Sequence, residues 1–379
     1  MKKEVDILII GAGASGLMLA ALLKRKDILV LDGNAKAGAK VLVSGGGKCN
    51  VTNGNISPKN FLGNQRFIKN VIKRFDQNQL IDWLRKHNLN LIVRKNSQYF
   101  CEHSAKELVD VFTKEIERGA ISLNTMVKEV EVSSDGFEVM TSKGKIKAKR
   151  VVIATGGLSF PKLGASDFGY RVAEKFEHKV STRSAGLVGF TVQPEQFFFK
   201  TLSGASIDVK ISIHEKTING ALLFAHKGIT GPAVLDASLY WEKGKIEINF
   251  IPTCNISTLK SSKKNISRVL GLPSRVAKTF LIELKIEDKA AHKLTTDEWG
   301  RIETLKSYSF APAGTFGYSK AEVTKGGVIL DDIDASSMMS KKVNNLYFLG
   351  EVLDVTGELG GYNFQWAFSS AYVCAKGLE

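Results

Sequence analysis

Residues 4–32 have the sequence "EVDILIIGAGASGLMLAALLKRKDILVLD". A β-branched apolar run leads into glycines, a helical apolar face follows, and a second apolar run ends the stretch. This order predicts a strand, a tight turn, a helix and a strand, which is a βαβ unit. Gly11, Gly13 and Gly16 stand in the GxGxxG pattern, and Asp32 ends the second strand. In that context the pattern predicts dinucleotide binding, with phosphates at the helix N-terminus and ribose hydroxyls at the aspartate.

The composition is that of a globular chain. Its 379 residues are 44% hydrophobic and 24% charged, enough for two or three domains with a full core. The four cysteines form no CxxC pair and the histidines show no metal-ligand spacing, so no disulfide framework and no metal site are expected. A reducing, cytoplasmic compartment fits best. The apolar run near the N-terminus is short and broken by Asp6 and glycines, so neither a signal peptide nor a membrane span is expected.

The net charge of +15, from 53 basic and 38 acidic residues, has several interpretations. It is compatible with a nucleic acid, an anionic membrane surface or an anionic ligand. Basic residues concentrate at 143–150 and 260–278, but arginine-rich tracts are absent, which favours a solvated surface. A nucleic-acid partner stays open and is not the first expectation.

The C-terminal segment favours a flavin over a nicotinamide cofactor, which GxGxxG alone does not separate. An apolar run ending at Leu349 is followed by Gly350, Glu351 and "GELGGYN" before a helical pattern. A helix N-terminus there could face the N1/C2 carbonyl edge of a flavin and stabilise negative charge on it.

A third glycine-rich loop, "SGGGKCNVTN", spans residues 44–53. A phosphate loop of the GxxxxGK[ST] type would need Ser or Thr after Lys48, and Cys49 stands there. The glycines instead predict close approach of the backbone to a cofactor, with Lys48 supplying charge and Asn50, Thr52 and Asn53 supplying hydrogen bonds.

The residue pattern changes at two points in the middle of the chain. "SAKELVDVFTKEIERG" carries a capping box, Ser104 with Glu107, and predicts a helix from Ala105 to Arg118. After Gly186 short β-rich runs begin, and a charged, helix-like region covers about 254–309. These changes predict two inserts.

The motifs together resemble a bacterial family, the BaiN-like and aminoacetone-oxidase-like flavoproteins of the glutathione-reductase-like superfamily. The resemblance rests on "GAGASG", "SGGGKCNVTN", "ATGGLSFPKLG", "LLFAHKGITGPAVL" and "GEVLDVTGELGGYNFQWAFSSA" and runs from residue 5 to residue 378. It implies an α/β fold: a Rossmann-type FAD-binding domain from 1–186 and 310–379, a β-barrel-like insert at 187–253 and a small helical insert at 254–309. Departures from the family pattern stand at Asp32, Cys101 and Ala225.

Carried over by position, the resemblance assigns the pyrophosphate to the first glycines and Ser15, the ribose to Asp32 and the adenine to the backbone near Val127. It places Glu351 near the ribityl chain. The residues expected to bind FAD are Gly11, Gly13, Ala14, Ser15, Gly16, Asp32, Gly33, Lys40, Gly45, Gly46, Gly47, Lys48, Cys49, Asn50, Val127, Ala154, Thr155, Gly156, Gly350, Glu351, Gly361, Tyr362 and Asn363.

No catalytic residue can be assigned from the sequence, because a flavin transfers hydride or electrons without a visible dyad. A redox CxxxxC pair is absent, which disfavours disulfide reductase chemistry. A second GxGxxG is also absent, so NADH or NADPH, if either serves as donor, would visit the flavin only transiently. Among the histidines, His226 is the best candidate for a proton donor. The alternative is a structural histidine that bonds to the backbone. Cys49 could act in redox chemistry or contact the flavin covalently, or it could be a small packing residue. The packing role is favoured.

Three functions remain open. The leading hypothesis is an FAD-dependent oxidoreductase of a small organic substrate, with the family implying reduction of an activated double bond or oxidation of an amine. The second is a flavoprotein that acts on RNA, and the third is a non-catalytic flavin-binding redox module. The sequence leaves the oligomeric state open.

Overall fold

The computed structural model describes residues 3–23 and 27–379. The chain divides into two compact units. The first contains the residues up to Ser184 together with Val323–Glu379, and the second is Ala185–Glu322. Both inserts expected at 187–253 and 254–309 fall within the second unit, and the division between them stays a prediction.

The regular elements of the described residues are numbered in chain order. The strands are β1 (Glu4–Ile10), β2 (Ile28–Leu31), β3 (Asn50–Asn53), β4 (Phe61–Leu62), β5 (Leu91–Val93), β6 (Gln98–Cys101), β7 (Ile121–Ser122), β8 (Val127–Ser133), β9 (Gly136–Thr141), β10 (Gly144–Ile153), β11 (Ser184–Gly186), β12 (Phe190–Thr191), β13 (Ser206–Ile213), β14 (Lys216–Ala225), β15 (Gly228–Thr230), β16 (Ile246–Asn249), β17 (Tyr308–Phe310), β18 (Gly314–Thr315), β19 (Val323–Lys325), β20 (Leu346–Phe348) and β21 (Thr356–Gly357). The helices are α1 (Ala14–Leu23), α2 (Ala39–Val43), α3 (Gln65–Arg74), α4 (Gln77–Lys86), α5 (Ala105–Glu115), α6 (Phe168–Lys175), α7 (Phe198–Thr201), α8 (Pro232–Tyr240), α9 (Ile256–Leu259), α10 (Ile266–Val269), α11 (Ser274–Glu283), α12 (Thr296–Glu303) and α13 (Tyr362–Leu378).

A seven-stranded sheet organises the first unit. Its order is β7-β2-β1-β10-β9-β8, and β20 also pairs with β10. Strands β7, β2, β1, β10 and β20 are parallel, as the βαβ pattern of the sequence predicts. The first part of β10 pairs antiparallel with β9, and its last three residues, Val151–Ile153, pair with β20. Strand β10 is therefore continuous from its antiparallel pairing with β9 to its parallel pairing with β20.

Helices from both ends of the chain pack together beside this sheet. Helix α1 packs against α5 and α13, and nearly all of its residues are buried. Its apolar residues surround the helix rather than forming one stripe, which is typical of a helix enclosed by its neighbours. The mixed α/β architecture with a parallel βαβ core confirms the fold class predicted from the sequence.

Two predicted helical segments differ in detail from the structure. The capping box is present, with Ser104 N donating to Glu107 Oε2 at 3.4 Å, but α5 ends at Glu115 because Ile116 is extended. The sequence of residues 67–87 also shows helical periodicity, and in the structure this stretch forms two helices, α3 and α4. The break falls at Asp76, whose side chain caps α4 by accepting from two backbone amides.

The second unit holds a seven-stranded antiparallel sheet of order β17-β16-β13-β14-β15-β12-β18. Helices α7–α12 belong to the same unit, and a cluster of aromatic side chains forms part of its core. Phe199, from the triple phenylalanine at 197–199, is fully buried in that cluster, whereas Phe197 is 46% exposed. Strand β18 pairs with β12, so residues 314–315 belong to this sheet. Among the helices of the described ranges, none combines the length and the hydropathy needed to cross a membrane.

Alanine at Gly16 is expected to destabilise the protein by about 3 kcal/mol, because its Cβ would lie 1.9 Å from the Gly11 carbonyl oxygen. Alanine at Gly300 is the matched control. This glycine is exposed in α12, a Cβ there would meet nothing within 4 Å, and a gain of about 0.5–1 kcal/mol is expected. Urea denaturation measures both changes. Equal stability of the two variants would contradict the packing role of Gly16.

Candidate functional site

The candidate site lies at the edge of the first-unit sheet where its parallel strands end. Because β1, β2, β10 and β20 run in one direction, the loops that follow them begin side by side. The backbone amides of Gly11, Ala154 and Leu349 donate to carbonyls of the neighbouring strands at 2.8, 2.9 and 3.1 Å. Ligands of open α/β sheets bind at this edge.

The three glycines of the first turn have different roles. A Cβ on Gly11 would lie 2.4 Å from the Ala154 carbonyl oxygen, and Gly11 adopts a φ of +113°. A Cβ on Gly16 would lie 1.9 Å from the Gly11 carbonyl oxygen. In contrast, a Cβ on Gly13 would meet nothing within 4 Å. Two glycines therefore allow strand, helix and neighbouring loop to touch, whereas Gly13 leaves open space at the N-terminus of α1.

Asp32 is oriented by the backbone on both sides of it. Its Oδ2 accepts a hydrogen bond from Ala12 N at 2.7 Å, and its Oδ1 accepts one from Asn34 N at 2.8 Å. The Asp32 carbonyl accepts from Thr125 N at 2.8 Å, which brings the start of β8, where Val127 lies, next to this corner. The predicted ribose residue and the predicted adenine segment are therefore neighbours.

The glycine-containing loop that follows β20, at Gly350, lies against the start of α1. A Cβ on Gly350 would be 2.6 Å from Ser15 Oγ. Gly350 N donates to Ser370 Oγ at 3.0 Å, and its carbonyl accepts from Trp366 Nε1 at 3.0 Å, so α13 holds the loop in place. The structure thus brings together the predicted residues from both ends of the chain.

Lys40 and Glu351 form an ion pair at the site, with Lys40 Nζ 2.8 Å from Glu351 Oε2. Both side chains are partly shielded, with relative exposures of 33% and 20%. Lys40 Nζ also donates to Ser159 Oγ, and Glu351 Oε1 accepts from Thr324 N at 2.8 Å. The pair therefore links four segments that are distant in sequence: α2, the loop after β10, β19 and the segment after β20.

Sequence reasoning missed Ser159 and Thr324. Thr324 Oγ1 accepts from Leu158 N at 2.7 Å and from Ser159 N at 3.2 Å, which holds the loop after Gly156 against β19. Ser159 belongs to the quoted motif "ATGGLSFPKLG", so its position carried a signal. Thr324 lies in no motif that the sequence singled out.

The loop "SGGGKCNVTN" turns sharply at its glycines. Gly45, Gly46 and Gly47 all have positive φ, and Cβ atoms on the last two would meet nothing within 4 Å. Lys48 Nζ donates to the Glu102 carbonyl at 3.2 Å. Gly46 and Gly47 therefore leave an open backbone surface, as expected for a wall of a binding site.

The polar residues at the end of this loop hold the C-terminal helix. Thr52 Oγ1 donates to Gln365 Oε1 at 2.6 Å, and Asn53 Nδ2 donates to the Gly360 carbonyl at 3.0 Å. Both Thr52 and Asn53 are buried. Their predicted role as hydrogen-bond partners of the cofactor is therefore replaced by a structural role, because their polar groups already have partners within the chain.

The N-terminus of α13 is shaped by a tight loop. Asn363 Oδ1 accepts from Gly357 N at 2.8 Å, and its Nδ2 donates to the Gly357 carbonyl at 2.9 Å. Gly361 precedes the helix with a φ of +98°, and a Cβ there would lie 2.5 Å from the Thr52 backbone. Tyr362 packs edge-on against Phe61. The Asn363 side chain therefore closes the loop.

Two buried polar atoms at the site have no hydrogen-bond partner within the described residues. They are Asn50 Oδ1 and Thr155 Oγ1, and both residues were predicted to bind the cofactor. Buried polar atoms are normally paired, so unpaired atoms at a candidate site indicate a missing partner. Asn50 Nδ2 donates to Gln98 Oε1 at 3.0 Å, which fixes the direction of its amide.

The cysteines of the site are packing residues. Cys49 and Cys101 are fully buried, and burial raises the pKa of both thiols, that of Cys101 to about 12. The neutral thiol therefore dominates at neutral pH, and a thiolate nucleophile is disfavoured. His226, the histidine candidate, is exposed at the turn between β14 and β15 in the second unit.

The fold defines a Rossmann-type α/β protein, with a candidate ligand site at the carboxyl edge of its sheet. The chain belongs to the family described as "HI0933-like protein Rossmann domain", whose profile matches residues 5–377. This match, with the reductase similarity described next, confirms the flavoprotein family resemblance inferred from the motifs.

Three relatives are similar over nearly the whole chain. The "Ribosomal RNA dihydrouridine synthase" of Escherichia coli (strain K12) is 38% identical over 99% of this chain and 98% of its own length. The protein of the same name from Haemophilus influenzae is 37% identical over 100% of both chains. The "3-dehydro-bile acid delta(4,6)-reductase" of Clostridium scindens is 26% identical over 97% of both.

Solved structures share the fold. A quinol-fumarate reductase with menaquinol molecules aligns with a TM-score of 0.52 at 12% identity, over 99% of this chain and 71% of its own. The Mycobacterium smegmatis Sdh1 complex aligns with a TM-score of 0.50 at 12% identity, over 99% of this chain and 68% of its own. At this identity the likeness concerns the fold alone.

The buried thiols generate a prediction. In the native protein at pH 8, we expect a thiol reagent such as DTNB to leave Cys49, Cys101 and Cys374 unmodified and to react only slowly with the half-buried Cys254, because burial raises the pKa of all four thiols. Guanidinium unfolding should release all four. Cys254→Ser is the control, and fast labelling of Cys49 in that variant would contradict the packing role.

Proposed function

We propose that this protein is an FAD-dependent reductase that adds two hydrogens to a carbon–carbon double bond conjugated to a carbonyl, with uridine in ribosomal RNA as its substrate. The observation that carries the proposal is the 38% identity over 99% of the chain to a ribosomal RNA dihydrouridine synthase. Dihydrouridine is uridine whose C5–C6 double bond, conjugated to the C4 carbonyl, has been reduced. The substrate class of the bile-acid reductase relative, a steroid ketone with conjugated double bonds, has the same electronic pattern.

The first half of the site suits an adenosine diphosphate group. The open space beside Gly13, at the N-terminus of α1, provides backbone donors and a positive dipole for the pyrophosphate. Asp32 is held in position to accept from ribose hydroxyls, and the start of β8 lies beside it. Both features are those that the GxGxxG motif predicts.

The other half of the site suits a flavin. The open backbone at Gly46 and Gly47 permits close approach, and the unpaired Thr155 Oγ1 and Asn50 Oδ1 are available for hydrogen bonds with the cofactor. The Lys40–Glu351 pair holds the surrounding loops in place. The N-terminus of α13 would stabilise negative charge on the ring.

FAD bound here would supply the hydride that the double bond accepts, after reduction by NADH or NADPH as transient donor. The chain itself has three tasks. It binds the cofactor through the glycine turns, orients it through Asp32 and the loops tied to Glu351, and presents one face to the substrate. A carbonyl-conjugated double bond accepts hydride at the carbon remote from the carbonyl, and a proton then adds at the adjacent carbon.

The net charge of +15 supports RNA as the substrate over a neutral small molecule. The sequence alone left this charge without an assigned partner. Among the relatives, the two named for an RNA substrate are also more similar to this chain than the bile-acid reductase.

A small enone is the second candidate substrate, favoured by the 26% identity to the bile-acid reductase over 97% of both chains. The chemistry at the double bond is the same in both candidates. The two candidates therefore differ in the part of the substrate beyond the double bond and in the protein surface that binds it.

The cofactor proposal predicts the result of an aspartate at Gly13. Its carboxylate would enter the open space and repel the pyrophosphate, and FAD affinity should fall at least about tenfold, because unit charges at contact range interact by several kcal/mol. Gly300→Asp, with the same charge on an exposed helix, should keep full flavin content. Visible absorption of the purified proteins measures occupancy. Equal flavin content in the two variants would argue against this pyrophosphate site.

The substrate proposal predicts a mass change in RNA. Protein-free ribosomal RNA incubated anaerobically with the FAD-loaded protein and NADPH, or NADH, should contain uridine heavier by two hydrogens, detected by nucleoside mass spectrometry. Omission of the pyridine nucleotide is the control. A protein that reduces a steroid enone but leaves ribosomal RNA unchanged would establish the second candidate instead.

A further inference from the structure

Helix α3 exposes a row of positive charge on the first unit. We name as the α3 face the side chains of Arg66, Lys69, Asn70, Lys73 and Arg74, all of which are exposed. The opposite side of the helix is buried through Phe67, Ile68, Val71 and Ile72, so the face is fixed in direction.

Among the described residues, three of the four charges on the α3 face have no neutralising partner, whereas Arg74 interacts electrostatically with Asp334. In the described parts of the chain, the cationic groups of Arg66, Lys69 and Lys73 take part in no hydrogen bond and no ion pair. Arg74 donates to the Ser336 carbonyl at 3.1 Å. Grooves of about 500 and 520 Å³ flank the helix, and five of their lining residues are basic while one, Asp334, is acidic.

Two features of this arrangement oppose the stability of the helix, although Lys73 and Arg74, in the last turn, interact favourably with the helix dipole. Arg66 lies in the first turn, where no acidic residue is present and where the helix dipole favours negative charge. Arg66, Lys69 and Lys73 follow one another at spacings of three and four residues, at which like charges repel by about 0.2–0.5 kcal/mol per pair. An anionic partner along the face would remove both penalties.

The partner must be an extended anion rather than a single ion. At a rise of about 1.5 Å per residue, Arg66 and Lys73 stand about 10 Å apart along the axis, which is longer than one phosphate group. A polynucleotide backbone offers phosphates in a row and binds lysine and arginine mainly through counterion release. A neutral hydrogen-bonding group, the amide of Asn70, completes such a surface.

The α3 face is also tied to the candidate site. Strand β4, directly before α3, pairs with β21, directly before the loop that leads into α13. Phe67 of α3 packs against Trp366 with ring centroids 6.4 Å apart, and Trp366 Nε1 donates to the Gly350 carbonyl. An RNA held on α3 is therefore anchored on elements that also shape the cofactor edge.

We propose that the α3 face binds the phosphate backbone of the RNA substrate. This inference rests on the proposed function and specifies where that substrate is held. The face supplies affinity and positioning, and the chemistry stays at the carboxyl edge of the sheet.

The test compares two charge-matched triple variants of the full-length, FAD-loaded protein. One is Arg66→Gln, Lys69→Gln and Lys73→Gln on the α3 face. The other is Lys263→Gln, Lys264→Gln and Arg268→Gln, exposed residues of the second unit taken from the basic segment 260–278. Affinity for protein-free ribosomal RNA is measured from about 50 to 300 mM salt.

The α3 variant should lose about 2–3 from the slope of log affinity against log salt, since each phosphate contact contributes about 0.7–0.9. Its affinity at 150 mM salt should fall on the order of 100-fold. Flavin content and the rate at saturating RNA should stay unchanged, which separates a binding role from misfolding. The control variant should keep the native slope.

The outcomes distinguish this inference from the function on which it rests. A native protein without salt-dependent RNA binding overturns both. A native protein that reduces ribosomal RNA, with an α3 variant that binds it unchanged or loses no more than the control, overturns the α3 inference alone. Loss of binding to phosphatidylserine vesicles with RNA binding intact would assign the face to a membrane surface instead.

Discussion

The structure depends first on a contact between backbones at the end of β1. Gly11, Gly16 and Ala154 meet so closely that no side chain fits between the turn, the helix and the neighbouring loop. This contact sets the distance of α1 from the sheet. The loops after β1, β10 and β20 can then meet at one edge, which is where the candidate site lies.

Buried hydrogen bonds, in addition to apolar packing, fix the position of the C-terminal helix α13 in the first unit. Gln365, fully buried, accepts from Thr52 and donates to the Phe75 carbonyl and to Ser369. A buried amide with each group paired stabilises one arrangement and penalises others, because any shift would leave a polar group without a partner. The same interactions hold the loop 44–53 beside the start of α13.

Charged side chains are paired at the candidate site but largely unpaired on the α3 face. Lys40 and Glu351 neutralise each other at the site, where partial burial makes an unpaired charge costly. On the α3 face, the cationic groups of Arg66, Lys69 and Lys73 are instead exposed and, within the described residues, unpaired. Local neutrality at the cofactor edge and surplus positive charge on the surface are both consistent with a flavin reductase whose substrate is a polyanion.

Much of this protein follows from the sequence alone. The βαβ unit, the parallel strands and the glycine turns at the sheet edge were predictable, because glycine patterns and apolar runs act locally. The exclusion of a phosphate loop at Lys48 followed from one residue, Cys49. The tertiary structure decided what depends on distant partners. Thr52 and Asn53 bond within the chain, Ser159 and Thr324 join the network of Glu351, and α3 exposes unpaired charge. A sequence shows which polar groups exist, but only the folded chain determines which of them are already satisfied.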